Sequence, residues 1–485
     1  MQIEISPPLA APLMESIRAI GYTAAMAVAD VIDNSVSAAA DEVDVLFVPS
    51  AEPYLVILDN GYGMSLADLK NAMRYGSRNP QEGREGTDLG RFGLGLKTAS
   101  LSQCRQLTVI SKQHGSVAAC RWDLDYVQAQ GNWALQILDA TEWGKLPHVA
   151  KLSHLTSGTL VLWQNLDRLV ESGGDRQRLF SKAMDDVREH LRLVFHRYIE
   201  GEAELQTLKL RMNGMALSAI DPLLRRRSAR PMADEFLAID DAKILVRPFL
   251  LPHVSQLSAA EIKNLGGKEG LRQGQGFYVY RHKRLVIWAT WFRMIGKAEL
   301  SKLVRIQVDI PNNLDHLWAL DIKKATAMPP ALVREQLQGI IEKLAACSER
   351  SWTIRGRKAV GDNNTVVWQR LQGREGGVYY QINRQHPMLA AWAGESGKLS
   401  LSLEALLSMI ESHLPLQQLH VDLNKESNTW QNRDIDEQML ENILKNLLGQ
   451  SSDNRRKSEL LNKLAMAEPF NRCPKLIEQY RRLIG

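Results

Sequence analysis

A glycine-rich segment that leads directly into a predicted helix constrains this chain more than any other feature. It reads LGRFGLGLKTAS, residues 89–100, and carries Gly90, Gly93 and Gly95 ahead of Lys97. Glycines at a helix start leave backbone N–H groups and the positive end of the helix dipole open to phosphates. The spacing fits neither a Walker A loop nor a Rossmann loop after a strand. The segment therefore predicts either a phosphate-binding loop of another kind or a flexible surface loop.

Two polar clusters precede this loop, and the first lies on a helix. Residues 22–40 are rich in alanine and lack Gly and Pro, a pattern that predicts a helix. Asp30 and Asn34 are four residues apart, so both side chains leave one helical face. A carboxylate in that position can orient a water, and an amide oxygen can ligate a hard cation. The alternative is a helix whose polar residues form its solvated face.

The second cluster, DNGYGM, begins at Asp59, where the predicted buried strand YLVILD ends. An ionised carboxylate only accepts hydrogen bonds, so Asp59 could receive the exocyclic amino group of adenine. Gly61 and Gly63, ahead of Met64, would let the backbone approach the ring without a Cβ clash. The alternative is an ordinary Asn-Gly turn. A fourth piece, SGT ending at Thr159, opens the predicted strand TLVLW and is uninformative alone.

The order and spacing of these four motifs resemble the GHKL ATPases, which include DNA gyrase B, Hsp90, histidine kinases and MutL. DNS lies in the first helix, DNGYGM follows about 25 residues later, and GRFGLGLK follows about 30 residues after that. The resemblance covers residues 15–165. The string GRFGLGLKTAS is most similar to the MORC-like branch of bacterial ATP-binding proteins.

This resemblance implies a role for each motif residue. Asn34 would bind the Mg²⁺ that bridges the phosphates, Asp59 would accept the adenine amino group, and Thr159 would support the adenine subsite. Asp30 stands where most members have a Glu as general base, and its carboxylate is about 1.5 Å shorter in reach. ATP binding with slow hydrolysis is therefore the expected activity. The other implied nucleotide contacts are Gly61, Gly63, Met64, Gly90, Arg91, Phe92, Gly93, Leu94, Gly95 and Lys97.

The second half of the chain resembles the transducer domain of MORC and MutL proteins. GFYVYRHKRLVIWATW, residues 276–291, is similar to the strand pair of that domain. WALDIKKATAMPP places Lys323 and Lys324 just after a predicted strand. In relatives a lysine there reaches the γ-phosphate, and either residue fits that catalytic role. The alternative is two solvated lysines at a strand end.

The predicted elements indicate an α+β fold in three regions. Residues 1–200 would form the Bergerat-type ATP-binding sandwich, a mixed sheet with helices on one face. Residues 201–350 would form a transducer-like, S5-type α/β domain, opened by a hairpin at Asn213-Gly214. Residues 351–485 are predicted to be mostly helical and have no assigned role. The four cysteines stand far apart without metal-ligand spacing, which favours core thiols in a reducing compartment.

Charge and hydropathy exclude several classes of function. The chain has 60 Lys and Arg against 55 Asp and Glu, and a net charge of +5 is too mild to indicate nucleic acid alone. No stretch approaches about 18 uninterrupted apolar residues, so we expect no membrane span. The N-terminus lacks a basic segment followed by an apolar run, so we expect no signal peptide and a cytoplasmic protein.

The resemblance implies a Mg-ATP-dependent molecular clamp that forms a homodimer when ATP binds. Its client would be DNA, in repair, restriction or phage defence, with separate effector proteins. An Hsp90-like chaperone and an ATP-gated scaffold with little hydrolysis are the alternatives. The N-terminal arm, residues 1–20, is expected to pack across the partner. The candidate DNA contacts are Arg225, Arg226, Arg227, Arg281, Lys283, Arg284, Arg455, Arg456 and Lys457.

Two residue types are expected to be structural. His386, in the segment QINRQHP, is typical of a structured turn and less so of a metal or acid–base site. Trp288, Trp291 and Trp318 are expected in core packing, because buried indoles contribute large apolar area.

Overall fold

The computed structural model describes residues 8–19, 21–76, 95–168, 175–202, 207–239, 242–252, 256–297, 301–311, 314, 318, 329–354, 365–372, 378–393, 399–415, 436–449 and 453–484. The chain divides into two compact units, Met1–Ser348 and Glu349–Gly485. Within the described ranges, no helix has both the length and the apolar character needed to cross a membrane.

The described helices of the first unit are interspersed with its strands along the chain. They are α1 (Ala10–Arg18), α2 (Ala24–Ser37), α3 (Leu66–Met73), α4 (Gly95–Leu101), α5 (Leu124–Gln130), α6 (Ala140–Trp143), α7 (Val149–His154), α8 (Arg176–Val194), α9 (His196–Ile199), α10 (Ala259–Asn264), α11 (Gly267–Gln273) and α12 (Ala331–Ile354), the last of which continues into the second unit.

Eight described strands form the first sheet, in the order β5-β4-β3-β6-β2-β1-β7-β8. They are β1 (Glu42–Val48), β2 (Tyr54–Asp59), β3 (Gln106–Gln113), β4 (Ser116–Asp123), β5 (Gln136–Ile137), β6 (Gly158–Gln164), β7 (Lys209–Met212) and β8 (Met215–Ala216). The sheet is mixed, because β1 and β7 are parallel while β1 and β2 are antiparallel. The central position of β2 and β6 brings Asp59 opposite Thr159 in the register.

One face of the first sheet is covered by α2, α4 and α8. In α2 the residues Val28, Val31 and Ile32 are buried, at the i, i+3, i+4 spacing of an amphipathic helix. α8 buries a longer stripe with the same period: Phe180, Met184, Val187, Leu191 and Val194. Each such side chain stabilises the fold by about 1.5–3 kcal/mol when removed from water. This packing fixes α2, the helix that carries Asp30 and Asn34, against the sheet.

The opposite face of this sheet is covered by the segment that runs from β5 to α7. Leu138, Val149 and Leu152 are buried there against Leu58 and Leu160 of the central strands. The segment places its own short helices over the end of β6, close to the SGT motif. Neither β5 nor these two short helices is predicted from the sequence, because runs this short give no clear periodicity.

The second sheet has the order β12-β11-β13-β10-β9 in the described residues. Its strands are β9 (Glu235–Ile239), β10 (Ala242–Leu250), β11 (Gly276–Arg281), β12 (Arg284–Thr290) and β13 (Val304–Ile310). α12 packs on it through a buried stripe formed by Val333, Leu337, Ile340 and Leu344. As expected, Trp291 and Trp318 are buried in this core, and Trp288 packs, partly buried, against the core of the first sheet.

α1 packs on its own domain. Ala10 and Met14 are buried in the core of the first sheet, and buried Arg18 donates to the Leu101 carbonyl over 2.7 Å. Arg18 also forms an ion pair of 2.5 Å with Asp167. These contacts anchor Ala10–Arg18 in its own chain. Residues 1–7 lie outside the described part, and the expected contact of the N-terminal arm with a partner stays a prediction.

The second unit is built mainly from helices around one small core. Its elements are β14 (Trp368–Gln372), β15 (Val378–Ile382), α13 (Pro387–Trp392), α14 (Leu401–Ser412), α15 (Glu437–Gly449), α16 (Asn454–Leu464), a 3₁₀ helix (Phe470–Arg472) and α17 (Pro474–Ile484). Leu444, Leu461, Phe470 and Ile477 are among its buried residues. His386 caps α13 by accepting the Met388 N–H at Nδ1, so its predicted role in a structured turn is confirmed.

The expected α+β architecture, a mixed sheet followed by a mostly helical C-terminal region, is confirmed. The hairpin at Asn213-Gly214 is confirmed too: both residues have positive φ, 46° and 79°, as a type I′ turn requires. This hairpin joins β7 to β8, so the first sheet continues past residue 200, where the sequence places a boundary. The division into three regions remains a prediction.

The side chain of Asn213 forms hydrogen bonds with the backbone of β1. Asn213 accepts the Phe47 N–H at Oδ1 over 2.9 Å, and its Nδ2 donates to the Phe47 carbonyl over 3.1 Å. The side-chain amide thus pairs with the backbone as a strand residue would.

Cys104 and Cys120 are buried free thiols and Cys473 is a half-buried one, whereas the side chain of Cys347 lies outside the described part.

Candidate functional site

Asp59, the last residue of β2, is a buried acceptor that joins three separate segments. Its Oδ1 accepts the Gly61 N–H over 2.9 Å and the Thr159 N–H over 3.2 Å. Its Oδ2 accepts the Ser35 hydroxyl over 2.8 Å. A carboxylate has about four acceptor positions. Three are occupied by the protein's own donors, and the fourth can accept one further N–H group.

Burial raises the pKa of Asp59, and the hydrogen bonds from Ser35, Gly61 and Thr159 lower it and partly offset that effect. The cost of burying this carboxylate is reduced when another donor satisfies it, because hydrogen bonds to the charged form favour that form. A ligand with an exocyclic amino group is such a donor. Asp59 could accept such a group, and its role in recognition of adenine stays a prediction.

The backbone around Asp59 has no room for side chains at three glycines. A Cβ at Gly61 would lie 2.7 Å from the Ala38 carbonyl oxygen, and one at Gly158 would lie 2.2 Å from the Asp59 carbonyl oxygen. Gly63 has a φ of +69°, and its Cβ would lie 2.0 Å from the Lys112 carbonyl oxygen. These close approaches explain why the turn after β2 needs glycine.

Ser111 of β3 is a site residue that the sequence analysis missed. Its Oγ accepts the Met64 N–H over 2.8 Å and lies 2.9 Å from Thr159 Oγ1. It therefore links the turn that holds Gly63 and Met64 to the start of β6. A serine inside a strand gives no sequence signal for this role. Only the alignment of Ser111 with Thr159 in neighbouring strands places it there.

Asn34 lies one turn beyond Asp30 on α2, and its side chain is exposed. Its Nδ2 donates to the Asp30 backbone carbonyl over 3.1 Å. The amide nitrogen is thus directed at the helix backbone, which leaves the amide oxygen as the atom suited to a cation. A single oxygen ligand plus waters and phosphate oxygens is an arrangement that Mg²⁺ accepts, since it retains several waters in many sites.

Asp30 is buried and contacts donors on both carboxylate oxygens. The Tyr22 hydroxyl donates to Oδ2 over 3.0 Å, and Arg284 Nη2 lies 3.5 Å from Oδ1. The same guanidinium donates from Nε to Asp33 Oδ1 over 2.9 Å. Arg284 is the first residue of β12 in the second sheet, so a residue 254 positions away in sequence contacts the predicted general base.

The structure overturns the predicted role of Arg284 as a DNA contact, because its side chain is buried. Arg281 is buried as well. Arg225 forms ion pairs with Glu200, Glu202 and Asp221, and Arg227 pairs with Glu261. Arg225, Arg281 and Arg284 are structural residues, since a buried or multiply paired cation would lose those partners on binding a phosphate. Arg227 is 44% exposed and has one ion pair, so its contact with DNA stays a prediction.

Lys97 lies on the first turn of α4, with its ammonium group buried. Its Nζ donates to the Ala72 carbonyl over 2.7 Å and lies 5.7 Å from the centre of the Tyr75 ring. Burial lowers the pKa of Lys97 from 10.5 to about 8. A nearby phosphate would favour the charged form and reverse this shift. Lys97 and Gly95 begin the helix to which the predicted phosphate loop leads.

Part of the predicted site lies outside the described residues. Gly90, Arg91, Phe92, Gly93 and Leu94 of the glycine-rich loop are in this group. Lys323 and Lys324 are in it as well, so their proposed contact with the γ-phosphate stays a prediction. Among the described residues no group of three or more His, Cys, Asp and Glu could hold a metal ion by protein ligands alone. The amide oxygen of Asn34 has the chemistry to ligate a cation that a bound phosphate also holds.

Comparison with known proteins agrees with this geometry. Residues 22–159 match the family model described as histidine kinase-, DNA gyrase B-, and HSP90-like ATPase. The matched segment contains Asp30, Asn34, Asp59 and Lys97, and it ends at Thr159. No curated protein sequence matches the chain. The family match supports the GHKL superfamily for this segment and an ATP-binding, ATPase-type function.

Proposed function

We propose that this protein, whose residues 22–159 match the GHKL-type ATPases, is a Mg-ATP-dependent homodimeric clamp that acts on DNA. The observation that carries the ATP-binding part is the environment of Asp59, a buried carboxylate that accepts three hydrogen bonds from the protein and has the capacity for a fourth. The DNA client, the dimer and the MORC-like branch come from the resemblance in sequence.

The adenine end of the site would be held by groups that are already in place. Asp59 would accept the adenine amino group, and the backbone at Gly61, Gly63 and Met64 would lie beside the ring. Thr159 fixes Asp59 through its N–H and Ser111 through its hydroxyl. Since the protein's own hydrogen bonds hold these groups, little ordering is needed when the base binds.

The phosphate end would use Asn34, Gly95 and Lys97 together with Gly90 to Leu94. Mg²⁺ would supply charge neutralisation of the phosphates when bound, with the Asn34 amide oxygen as its protein ligand. Lys97 would turn its ammonium group from the Ala72 carbonyl toward a phosphate oxygen. The resulting gain in charge pairing offsets the cost of its burial.

Asp30 is the proposed general base. It would accept one proton from the attacking water, whose oxygen bonds to the terminal phosphorus as the bond to the ADP oxygen breaks. The proton would then pass to solvent. Hydrolysis should be slow, because the Asp side chain is about 1.5 Å shorter than the Glu of relatives and both its oxygens already contact donors.

The most suitable DNA surface lies on α16 and α17, which we call the basic helix pair. These helices pack on one another. They carry seven Lys or Arg against two Glu, and Arg455 is 89% exposed. A surface of this kind contacts phosphates and carries little sequence information. Its cations are Arg455, Arg456, Lys457, Lys463, Lys475, Arg481 and Arg482.

Three measurements test the proposal against its alternatives. Calorimetry with Mg-ATP should show binding, and light scattering should show a monomer becoming a dimer with a non-hydrolysable ATP analogue. Retention on DNA should be longer for closed circles than for short linear fragments, because a topological clamp slides off ends. Equal, ATP-independent retention on both DNA forms would contradict the clamp. Binding without phosphate release would favour the ATP-gated scaffold, and DNA-independent activity on unfolded proteins would favour the chaperone.

A further inference from the structure

We propose that Arg284 is a positioning residue that restrains Asp30, so that the second sheet controls whether this carboxylate can accept a proton from water. The inference rests on the proposed function, in which Asp30 is the general base. It concerns a link between two sheets that neither the family match nor the sequence motifs assign.

Three groups other than Asp30 contact the guanidinium of Arg284. Its Nε donates to Asp33 Oδ1 over 2.9 Å, and its Nη1 donates to the Leu285 carbonyl over 3.1 Å. Its guanidinium carbon lies 5.6 Å from the centre of the Phe195 ring. The contact between Nη2 and Asp30 Oδ1, at 3.5 Å, is the longest of its polar contacts. Since hydrogen bonds weaken steeply at such distances, this contact is the least costly to break.

The two carboxylates therefore have different relationships to the same cation. Asp33 anchors Arg284 by a short ion pair, whereas Asp30 meets only the far arm of the guanidinium. A small displacement of Arg284 would release Asp30 and still leave the pair with Asp33 intact. The pair keeps the charge of Asp33 compensated in both arrangements, which matters because an unpaired buried carboxylate is strongly destabilising.

The β11–β12 hairpin determines where the guanidinium lies. Arg284 begins β12, immediately after the turn at His282 and Lys283. The Tyr198 hydroxyl donates to the His282 carbonyl over 2.6 Å, and His196 Nε2 lies 2.9 Å from the Tyr280 hydroxyl. These contacts tie the hairpin to α9. Any shift of the second sheet that moves this hairpin would also move Arg284 relative to α2.

With Arg284 in place, Asp30 has little capacity to act as a base. The Tyr22 hydroxyl contacts one oxygen and Arg284 the other. A water must replace one of these donors before it can transfer a proton to the carboxylate. Movement of Arg284 away from Asp30 would remove this donor from Oδ1, and a water could take its place. Hydrolysis would then follow the position of the second sheet.

The test needs variants that remove the Arg284 guanidinium from Asp30 and either keep a cation beside Asp33 or remove the charge of Asp33. Arg284→Gln alone removes the guanidinium from two buried carboxylates. The double variant Asp33→Asn/Arg284→Gln replaces the ion pair by two amides and keeps the net charge. Arg284→Lys is the second design, since it retains a cation for Asp33 but lacks the arm that approaches Asp30. Lys283→Gln, at the turn of the same hairpin, is the matched control.

The first readout does not depend on ATP. Thermal unfolding of the nucleotide-free chain should show a melting temperature several degrees lower for Arg284→Gln. Most of that loss should be recovered in Asp33→Asn/Arg284→Gln, while Lys283→Gln should match the parent. Absence of this recovery would contradict the ion pair on which the inference depends.

The second readout separates binding from hydrolysis. In single-turnover experiments, Asp33→Asn/Arg284→Gln should hydrolyse ATP roughly tenfold faster than the parent, because Asp30 is released. Arg284→Lys should show a smaller increase, and ATP affinity should stay within about twofold in both, because Arg284 makes no proposed contact with nucleotide. An unchanged or slower rate with intact ATP affinity would overturn the restraint alone. A parent chain that binds no ATP would instead overturn the proposed function.

Discussion

The hydroxyl of Ser35 on α2 donates a 2.8 Å hydrogen bond to Asp59 Oδ2 at the end of β2. Ser35 directly follows Asn34, so this bond sets the distance between the proposed metal ligand and the proposed adenine acceptor. It also explains how one helix can serve both ends of a nucleotide. The packing of Val31 and Ile32 on the sheet holds α2 in that register.

Asp59→Asn should abolish recognition of adenine and leave the fold intact. The amide oxygen can accept from Gly61 and Thr159, and the amide nitrogen can donate to Ser35. The fourth position would then present an N–H group to the adenine amino group, so ATP affinity should fall by a factor of about 100 or more. Calorimetry should also show a relative preference for a purine nucleotide with an oxygen in place of the amino group.

The matched control for this variant is Asp175→Asn, at the N-cap of α8. Asn caps a helix about as well as Asp, so this change should alter neither stability nor nucleotide affinity. Undiminished ATP affinity in Asp59→Asn would show that Asp59 does not contact the base.

Asn34→Ala should remove the contribution of Mg²⁺ to ATP binding. The variant loses the oxygen ligand, and water cannot be oriented as well in its place. ATP affinity measured with Mg²⁺ should fall to the value measured with a chelator, whereas the parent should show a clear difference between the two conditions. Ser37→Ala, on the same helix, should behave as the parent does. A persistent effect of Mg²⁺ in Asn34→Ala would assign the cation to other ligands.

Asp30→Asn should keep ATP binding and lose hydrolysis by a factor of about 100 or more, because an amide cannot accept a proton from water. The Tyr22 hydroxyl can still donate to the amide oxygen, so the fold should be retained. Phosphate release measured under single-turnover conditions tests this expectation. Hydrolysis at the parent rate would mean that another residue acts as base.

Lys97→Met should stabilise the nucleotide-free protein at neutral pH while it weakens ATP binding. Burial depresses the pKa of Lys97 from 10.5 to about 8. Between these two values the unfolded chain binds more protons than the folded one, so stability rises as the pH rises from about 8 toward 10.5. Below pH 8 Lys97 is charged in the folded state too, so its burial lowers the free energy of unfolding by the full amount. Removing it should raise the free energy of unfolding at pH 7 by about 1–3 kcal/mol.

Urea unfolding at pH 7 and pH 10 tests this predicted change of stability with pH. The advantage of Lys97→Met over the parent should shrink at pH 10, where the parent lysine is mostly neutral in the fold. Lys70→Met, at an exposed position of α3, should show no such pH dependence. A Lys97→Met advantage that grows with pH would contradict the burial effect.

Reversing Arg455, Arg456 and Lys457 to Glu should weaken DNA binding and flatten its salt dependence. Each phosphate contact that is lost should reduce the log–log slope by about 0.9. In the sequence analysis Arg225 was as good a candidate for a DNA contact as Arg455, but in the structure Arg225 forms ion pairs with three carboxylates. Reversal of Arg225 should therefore lower the melting temperature and leave the salt slope unchanged. The opposite pattern would move the DNA surface to that loop.

Local sequence patterns predicted the parts of the site that lie within single elements. The buried strand that ends at Asp59 was readable from its apolar run, and so was the helix that carries Asp30 and Asn34. These elements depend on residues that are near one another in the chain, where period and turn chemistry are informative. The glycines after Asp59 were assigned to close approach of a nucleotide ring, whereas in the structure a Cβ at Gly61 or Gly63 would clash with carbonyl oxygens of the protein itself.

Contacts between distant segments could not be predicted in the same way. Arg284 was named among the candidate DNA contacts, a role that needs an exposed side chain. Its burial depends on Asp33, which lies in another element and gives no local signal. Ser111 was missed for the same reason, because its role follows from strand pairing. The burial of Lys97 likewise depends on Ala72 and Tyr75, which come from the segment before the glycine-rich loop.

The amide of Asn213, which pairs with both backbone groups of Phe47, gives the protein a site of chemical ageing. Asn-Gly sequences deamidate readily, and the product at this exposed position would be an acid. An acid can accept the Phe47 N–H but cannot donate to the Phe47 carbonyl, and its charge would face that oxygen. Stored protein should therefore accumulate a more acidic form in which the junction of β1 with the β7–β8 hairpin is loosened, beginning at the edge of the sheet.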